Sequence, residues 1–282
     1  MLLRQVALVS QSASVAFREL ARVSAALQKQ IARDFGPIWE IHATVDSFDA
    51  LEDVPLGYWP IIIRDDVGQK YSAAGIHLDN NGQPYSLVQS SKTWPQTCSH
   101  EVLEMLADPF GDRVIAGHAP REASTHGRVE FLVEVCDPSE SFGYTVNDIK
   151  VSDFYTPAFF DPIPAAGVRY SFTGAIKRPR EVLKGGYISW HNTVNNHWYQ
   201  LQWFNARKKV VDLGVFEASS KSTREWIDER THTPRRLQGG AVKPAQKAFS
   251  TLARGTGTEV ASSGRAGFLQ KEIGAILKGR KR

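Results

Sequence analysis

Residues 99–109 read Ser99-His100-Glu101-Val102-Leu103-Glu104-Met105-Leu106-Ala107-Asp108-Pro109. On a helix, His100, Glu104 and Asp108 fall four apart and share one face, about 6 Å from one to the next. That face carries an imidazole and two carboxylates in a row, while Val102, Leu103 and Leu106 point elsewhere and can pack. Ser99 is placed to cap such a helix, and Pro109 to stop it, because the residue before a proline avoids the helical region. We therefore expect a short helix from His100 to about Asp108, packed on one side and chemically armed on the other.

A His and a carboxylate one turn apart can grip one metal ion from the same side. The H-E-x-x-H pattern does this with two histidines and uses its Glu as general base. Here Glu104 stands in the second position. A nitrogen-plus-carboxylate set suits zinc, and also Mn2+ or Fe2+. Glu101, beside the first ligand, is placed to hold and deprotonate a water on the metal. A metal needs a further ligand, and the next acidic cluster is Val133-Glu134-Val135-Cys136-Asp137-Pro138. Asp137 is the first choice for that third ligand and Glu134 the second. Asp108 is open to three readings: ligand, partner of His100, or a plain helix-end residue.

The two segments together resemble bacterial, phage and plant proteins that carry H-E-x-x-E-x-x-x-D-P followed by E-[IV]-x-D, among them the plant EXORDIUM or phosphate-induced proteins. The resemblance covers about 40 residues. It implies that His100 and Glu104 bind metal, that Glu101 is the base, and that Asp108 and Asp137 fill the other acidic positions. The order of strand, helix, strands and edge strand before the motif helix is similar to zincin metallopeptidases. That implies an α/β (α+β) fold with a zincin-like mixed sheet, an active-site helix, and a zinc-dependent hydrolase acting on a peptide or protein. No methionine follows Met105, so a Met-turn is absent.

Outward from the motif, Val6 to Val9 reads as a strand, and the residues from Ser14 as an amphipathic helix with Phe17, Leu20, Leu27 and Ile31 on one face. Gly36-Pro37 should stop it. Ile38–Val45 and Trp59–Arg64 read as strands, the second covered on both faces because Ile61, Ile62 and Ile63 are contiguous. Asn80-Asn81-Gly82 marks a turn before a strand at Tyr85–Gln89. His77 lies beside that edge strand, either flanking the turn or approaching the site. Residues 111–128 look like an irregular loop, where His118 and His126 either reach the site or sit exposed. Phe131–Val135 and Tyr144–Val151 read as strands. Tyr155 is a candidate oxyanion donor or a packing residue.

Beyond Pro164 the chain becomes rich in aromatics and turn residues, with strands expected near 170–176, 186–190 and 198–204 and a helix near 220–229. Three parts follow: a metal-binding domain over 1–165, a β-rich extension over 166–233 and a basic tail over 234–282. From Arg235 onward, eleven Lys or Arg face two acids, so the tail is net +9 and the rest of a chain whose net charge is +4 is near −5. Its Gly, Ser and Ala content predicts disorder, and its charge offers nucleic acid a partner. A charged fraction of 23% with no long apolar run excludes a membrane-spanning helix. The N-terminal MLLRQVALVSQSASVAF reads as a strand rather than a signal peptide, so a cytoplasmic location is expected. Two cysteines, Cys98 and Cys136, are too few for a disulfide framework.

Overall fold

The computed structural model describes residues 3–67, 74–80, 82–217 and 221–231; the tail over 234–282, with its expected disorder and nucleic-acid role, lies outside the described residues. The chain is mixed α and β. A first sheet is built from β1 (Arg4–Ser10), β2 (Ala43–Phe48), β3 (Tyr58–Arg64), β4 (Gly75–Asn80) and β5 (Gln83–Gln89). Its order is β2-β1-β3-β5-β4. The first four strands in that order run parallel, and β4 closes one edge antiparallel to β5. Alternation explains how both faces are buried. Val6 and Leu8 join the large core with Ile61 and Ile63, whereas Ala7 and Val9 join a second core with Ile62 and Leu87 on the opposite face.

Helix α1 (Phe17–Gln30) covers the first face through Leu20, Val23 and Leu27. Gly36-Pro37 does not end the helical path, contrary to the sequence expectation. The chain continues through a π turn at Ile31–Phe35 into α2 (Gly36–Trp39), and Glu40 takes the left-handed cap at φ 55°. Proline at the start of a helix loses no needed N–H, so the wider π turn lets the chain pass it. Gly36 is there for space: a Cβ would stand 2.5 Å from the Ile41 carbonyl oxygen and 2.8 Å from that of Ile31. The second strand consequently begins at Ala43 rather than Ile38.

Helix α3 (Trp94–Ala107) carries the motif and begins two turns before His100. Ser99 is therefore no cap. Its hydroxyl donates to Gln30 Oε1 at 2.8 Å and accepts from the Ser152 amide at 3.0 Å. From Cys98 to Ala107 every residue of α3 is buried. The helix is enclosed by β4 and β5 on one side and by a hairpin, β8 (Gly143–Val146) and β9 (Ile149–Ser152), on another. Its last carbonyls are met by arginines: Arg4 donates to Leu106 O and Arg113 to Ala107 O, each at 2.7 Å.

The second sheet has the order β12-β11-β10-β7-β6 and is antiparallel throughout. Its strands are β6 (Val114–His118), β7 (Arg128–Leu132), β10 (Tyr187–Asn192), β11 (His197–Gln202) and β12 (Lys209–Gly214). Residues 114–118 are thus a strand inside the stretch expected to be irregular. Residues 170–176 contribute only an isolated bridge between Tyr155 and Ser171. The sheet draws strands from both sides of residue 165, and one apolar core runs through both sheets and α3. Helix α4 (Thr223–Thr231) docks last. Trp226 and Ile227 pack with Leu132 and Trp198, and the Thr223 amide and hydroxyl both donate to Asp112 Oδ1 at 2.7 Å. No described helix is long and apolar enough to cross a membrane.

Candidate metal centre

Three features place the motif side chains. Helical spacing sets His100 and Glu104 on one face of α3. The turn after β7, where a short 3-10 helix runs over Asp137–Ser139, brings Asp137 against that face. The edge strand β4 lies over the neighbouring face, where Glu101 emerges. There a Cβ on Gly75 would stand 2.4 Å from Glu101 Oε1, so glycine is what lets strand and carboxylate approach.

His100 Nε2 lies 3.2 Å from Glu104 Oε2 and 3.2 Å from Asp137 Oδ1. All three residues are buried. Two ligands bonded to one zinc at 2.0–2.1 Å with tetrahedral angles stand about 3.3–3.4 Å apart. The two spacings on His100 match that edge, while the close sets of ligand atoms place Asp137 with His100 and Glu140, or with Glu104 and Glu134. Glu104 is fixed by a further contact, since the Cys136 amide donates to its Oε1 at 3.2 Å.

An arginine far along the chain enters the same cluster. Arg224, from α4, is 4% exposed; its Nη1 lies 2.8 Å from Glu104 Oε2 and 2.6 Å from Glu134 Oε2, and its Nε is 3.5 Å from Asp228. Glu134, second choice for the third ligand, is thus tied to Arg224 through Oε2, although Oε1 has no partner and the side chain stays near Glu104 and Asp137. Asp108 stands apart. It accepts the amides of Asp112 at 3.2 Å and Arg113 at 2.9 Å, which makes it the turn-forming residue at the helix end, and among the described residues no close set of ligand atoms includes it. Glu140, at the rim, joins His100 and Asp137 in one such set, and Cys136 joins His100 and Glu104 in another.

Burial and charge divide the protons. Burial raises Glu101, against the pull of His100 and Arg224, to about 8. Burial also pushes Glu134 well above the usual carboxylate range despite Arg224. For Glu104 burial pushes the same way, but His100 and Arg224 outweigh it, so this carboxylate is held well below its ordinary value. His100, opposed by burial, is raised well above its usual value by Glu104 and Glu140. His77 goes the other way, lowered by burial and then by Arg224, so its ring is neutral. In effect the cluster holds more carboxylates than its own cations can match, and some must keep a proton.

Tyr155 is fully buried, and its ring stacks on Phe159 at 4.5 Å between centroids and leans on Trp39. Its hydroxyl has no partner, and Glu134, Glu104 and Asp137 all act on it. Packing and nearness to the cluster therefore coexist. His126 sits instead between Trp190 and Tyr199, and His118 is exposed on β6. Both cysteines are buried and unbridged.

The chain matches no family model, no curated protein and no solved structure. What the site does rests on its own geometry. Arg224 was not legible in advance: its only local signal is an Arg and an Asp four apart on a helix, a pattern that usually marks a solvated face.

Proposed function

We propose that the chain is a metal-dependent hydrolase, with one divalent ion, zinc by preference, held by His100, Glu104 and Asp137 and with Glu101 as general base. The observation that supports this is Asp137: a fully buried carboxylate 3.2 Å from His100 Nε2, at a ligand–ligand distance from a histidine that faces Glu104 at the same spacing. Several buried carboxylates around one imidazole are costly unless a cation completes them. The strand order β2-β1-β3-β5-β4, with an antiparallel edge strand beside the motif helix, supports a zincin-like reading of the first sheet.

A bound divalent ion would supply Lewis acidity, making a water acidic and polarising a carbonyl such as that of a peptide. The protein does the rest. The Cys136 amide and Arg224 hold Glu104 in place. Glu101, buried beside His100, would take up a proton and pass it to a leaving group. Tyr155 offers a buried hydroxyl to developing negative charge.

Metal analysis of the purified protein should find zinc, and His100→Ala should lose it while circular dichroism stays native. Glu101→Gln should keep the ion and lose peptide cleavage. Folded wild type that takes up no ion would sink the proposal.

A second reading has its own observation. His100 is 7%, Glu101 3% and Asp137 0% exposed, which suits a closed structural ion joining α3 to the 134–137 turn. Metal bound in wild type, with loss of fold in His100→Ala and no cleavage of any peptide library, would favour it.

A further inference from the structure

We propose a second cation site at His77, Glu101 and Glu104, so that the centre takes two divalent ions which share Glu104. The proposal rests on the first ion's site for that shared ligand. His77 stands on β4, with its side chain 1% exposed, and its Nδ1 has no hydrogen-bond partner. Its Nδ1 is aimed into the cluster, 3.7 Å from Glu101 Oε2 and 3.8 Å from Glu104 Oε2. Glu101 Oε2 is likewise buried and unpartnered.

A hydrogen bond from an imidazole ends near about 3.2 Å, so neither carboxylate is bonded to the ring. Two atoms bound to one ion at about 2.1 Å lie at most about 4.2 Å apart, and at 3.7–3.8 Å His77 falls in that range with both acids. His77 and His100 face different partners. Among the described residues no set of mutually close ligand atoms contains both His77 and His100, although each forms one with Glu104. The two imidazoles therefore serve separate positions around one carboxylate.

The charge count agrees. Glu101, Glu104, Glu134, Asp137, Glu140 and Asp228 surround the cluster, and Arg224 is the arginine among them. One divalent ion and Arg224 bring three positive charges against six carboxylates. A second ion brings five, still without excess. In this arrangement Glu101 is a ligand through Oε2, and its other oxygen, Oε1, is left for the proton transfer proposed above.

The test is equilibrium dialysis of the full chain, freed of metal by a chelator, against micromolar free zinc, with zinc per chain counted by mass spectrometry. We expect two ions in wild type and one in both His77→Gln and Glu101→Gln, each checked for native circular dichroism. His100→Ala should lose the first ion. Wild type that saturates at one ion, or His77→Gln that still binds two, overturns the second site. If His100→Ala abolishes the single ion of such a protein, the first site stands alone. No ion in any folded form removes both.

Discussion

Replacing Glu101 by Gln in the metal-free protein should stabilise it at neutral and alkaline pH and leave it nearly unchanged in acid. Burial raises this carboxyl from 4.5 to about 8 in the folded chain. The folded state therefore holds a proton that the unfolded chain releases. With a folded value above the unfolded one, stability is complete below about pH 4.5 and is lost as pH climbs through about 8. Each tenfold gain in proton affinity on folding is worth about 1.4 kcal/mol, so the wild type should have lost about 3 kcal/mol from this group at pH 7 and about 5 kcal/mol above pH 8. The residue is 3% exposed, so solvent does little to weaken the effect. Glutamine keeps the shape and cannot ionise, and it loses no hydrogen bond at Oε2, where none exists. Urea unfolding of chelator-treated wild type and variant at intervals from pH 5 to 8.5 would measure the difference. Added zinc should flatten the wild-type slope, because a cation then replaces the proton. Two curves that run parallel across the whole range would show that Glu101 ionises freely, and the reading of the cluster as starved of positive charge would fail.

Three other substitutions follow from the same structure. Arg224→Met leaves Glu104 and Glu134 without their cation and should cost about 3–5 kcal/mol in urea unfolding of the metal-free protein; a loss below about 1 kcal/mol would mean the arginine is incidental. Ser99→Ala strips a buried donor from Gln30 and a buried acceptor from the Ser152 amide, each costing about 1–3 kcal/mol, so a clear fall in Tm is expected and a neutral result would refute the bridging role. Gly36→Ala drives a methyl into two backbone carbonyls and should destabilise by about 1–3 kcal/mol; an unchanged thermal midpoint would show that the π turn can open.

Much of the first sheet was readable in advance because strand burial on two faces forces contiguous apolar runs, as at Val6–Val9 and Ile61–Ile63. The helix breaks were less so. Gly36-Pro37 signals an end in isolation, yet the packed core extends the helix past it by widening one turn. Ser99 likewise reads as a cap by type, and only the neighbouring Gln30 and Ser152 reveal that it bridges three elements inside the protein. The strand Val114–His118 carried no signal of its own, being largely exposed and defined by its pairing to β7.

The sequence by itself determined that His100, Glu101 and Glu104 would project from one helix in a set order, because helical geometry needs only their spacing. It also offered Asp137, with Glu134 second, as the acid to stand opposite them. Which groups share a pocket was decided only by tertiary structure. Contacts such as Arg224 on Glu104, 120 residues apart, and His77 over Glu101 across a strand edge depend on how distant elements close around the helix, and local residue types carry no record of that. The same closure removes water from the cluster, and that loss of solvent, which no spacing encodes, is what divides protons among its carboxylates.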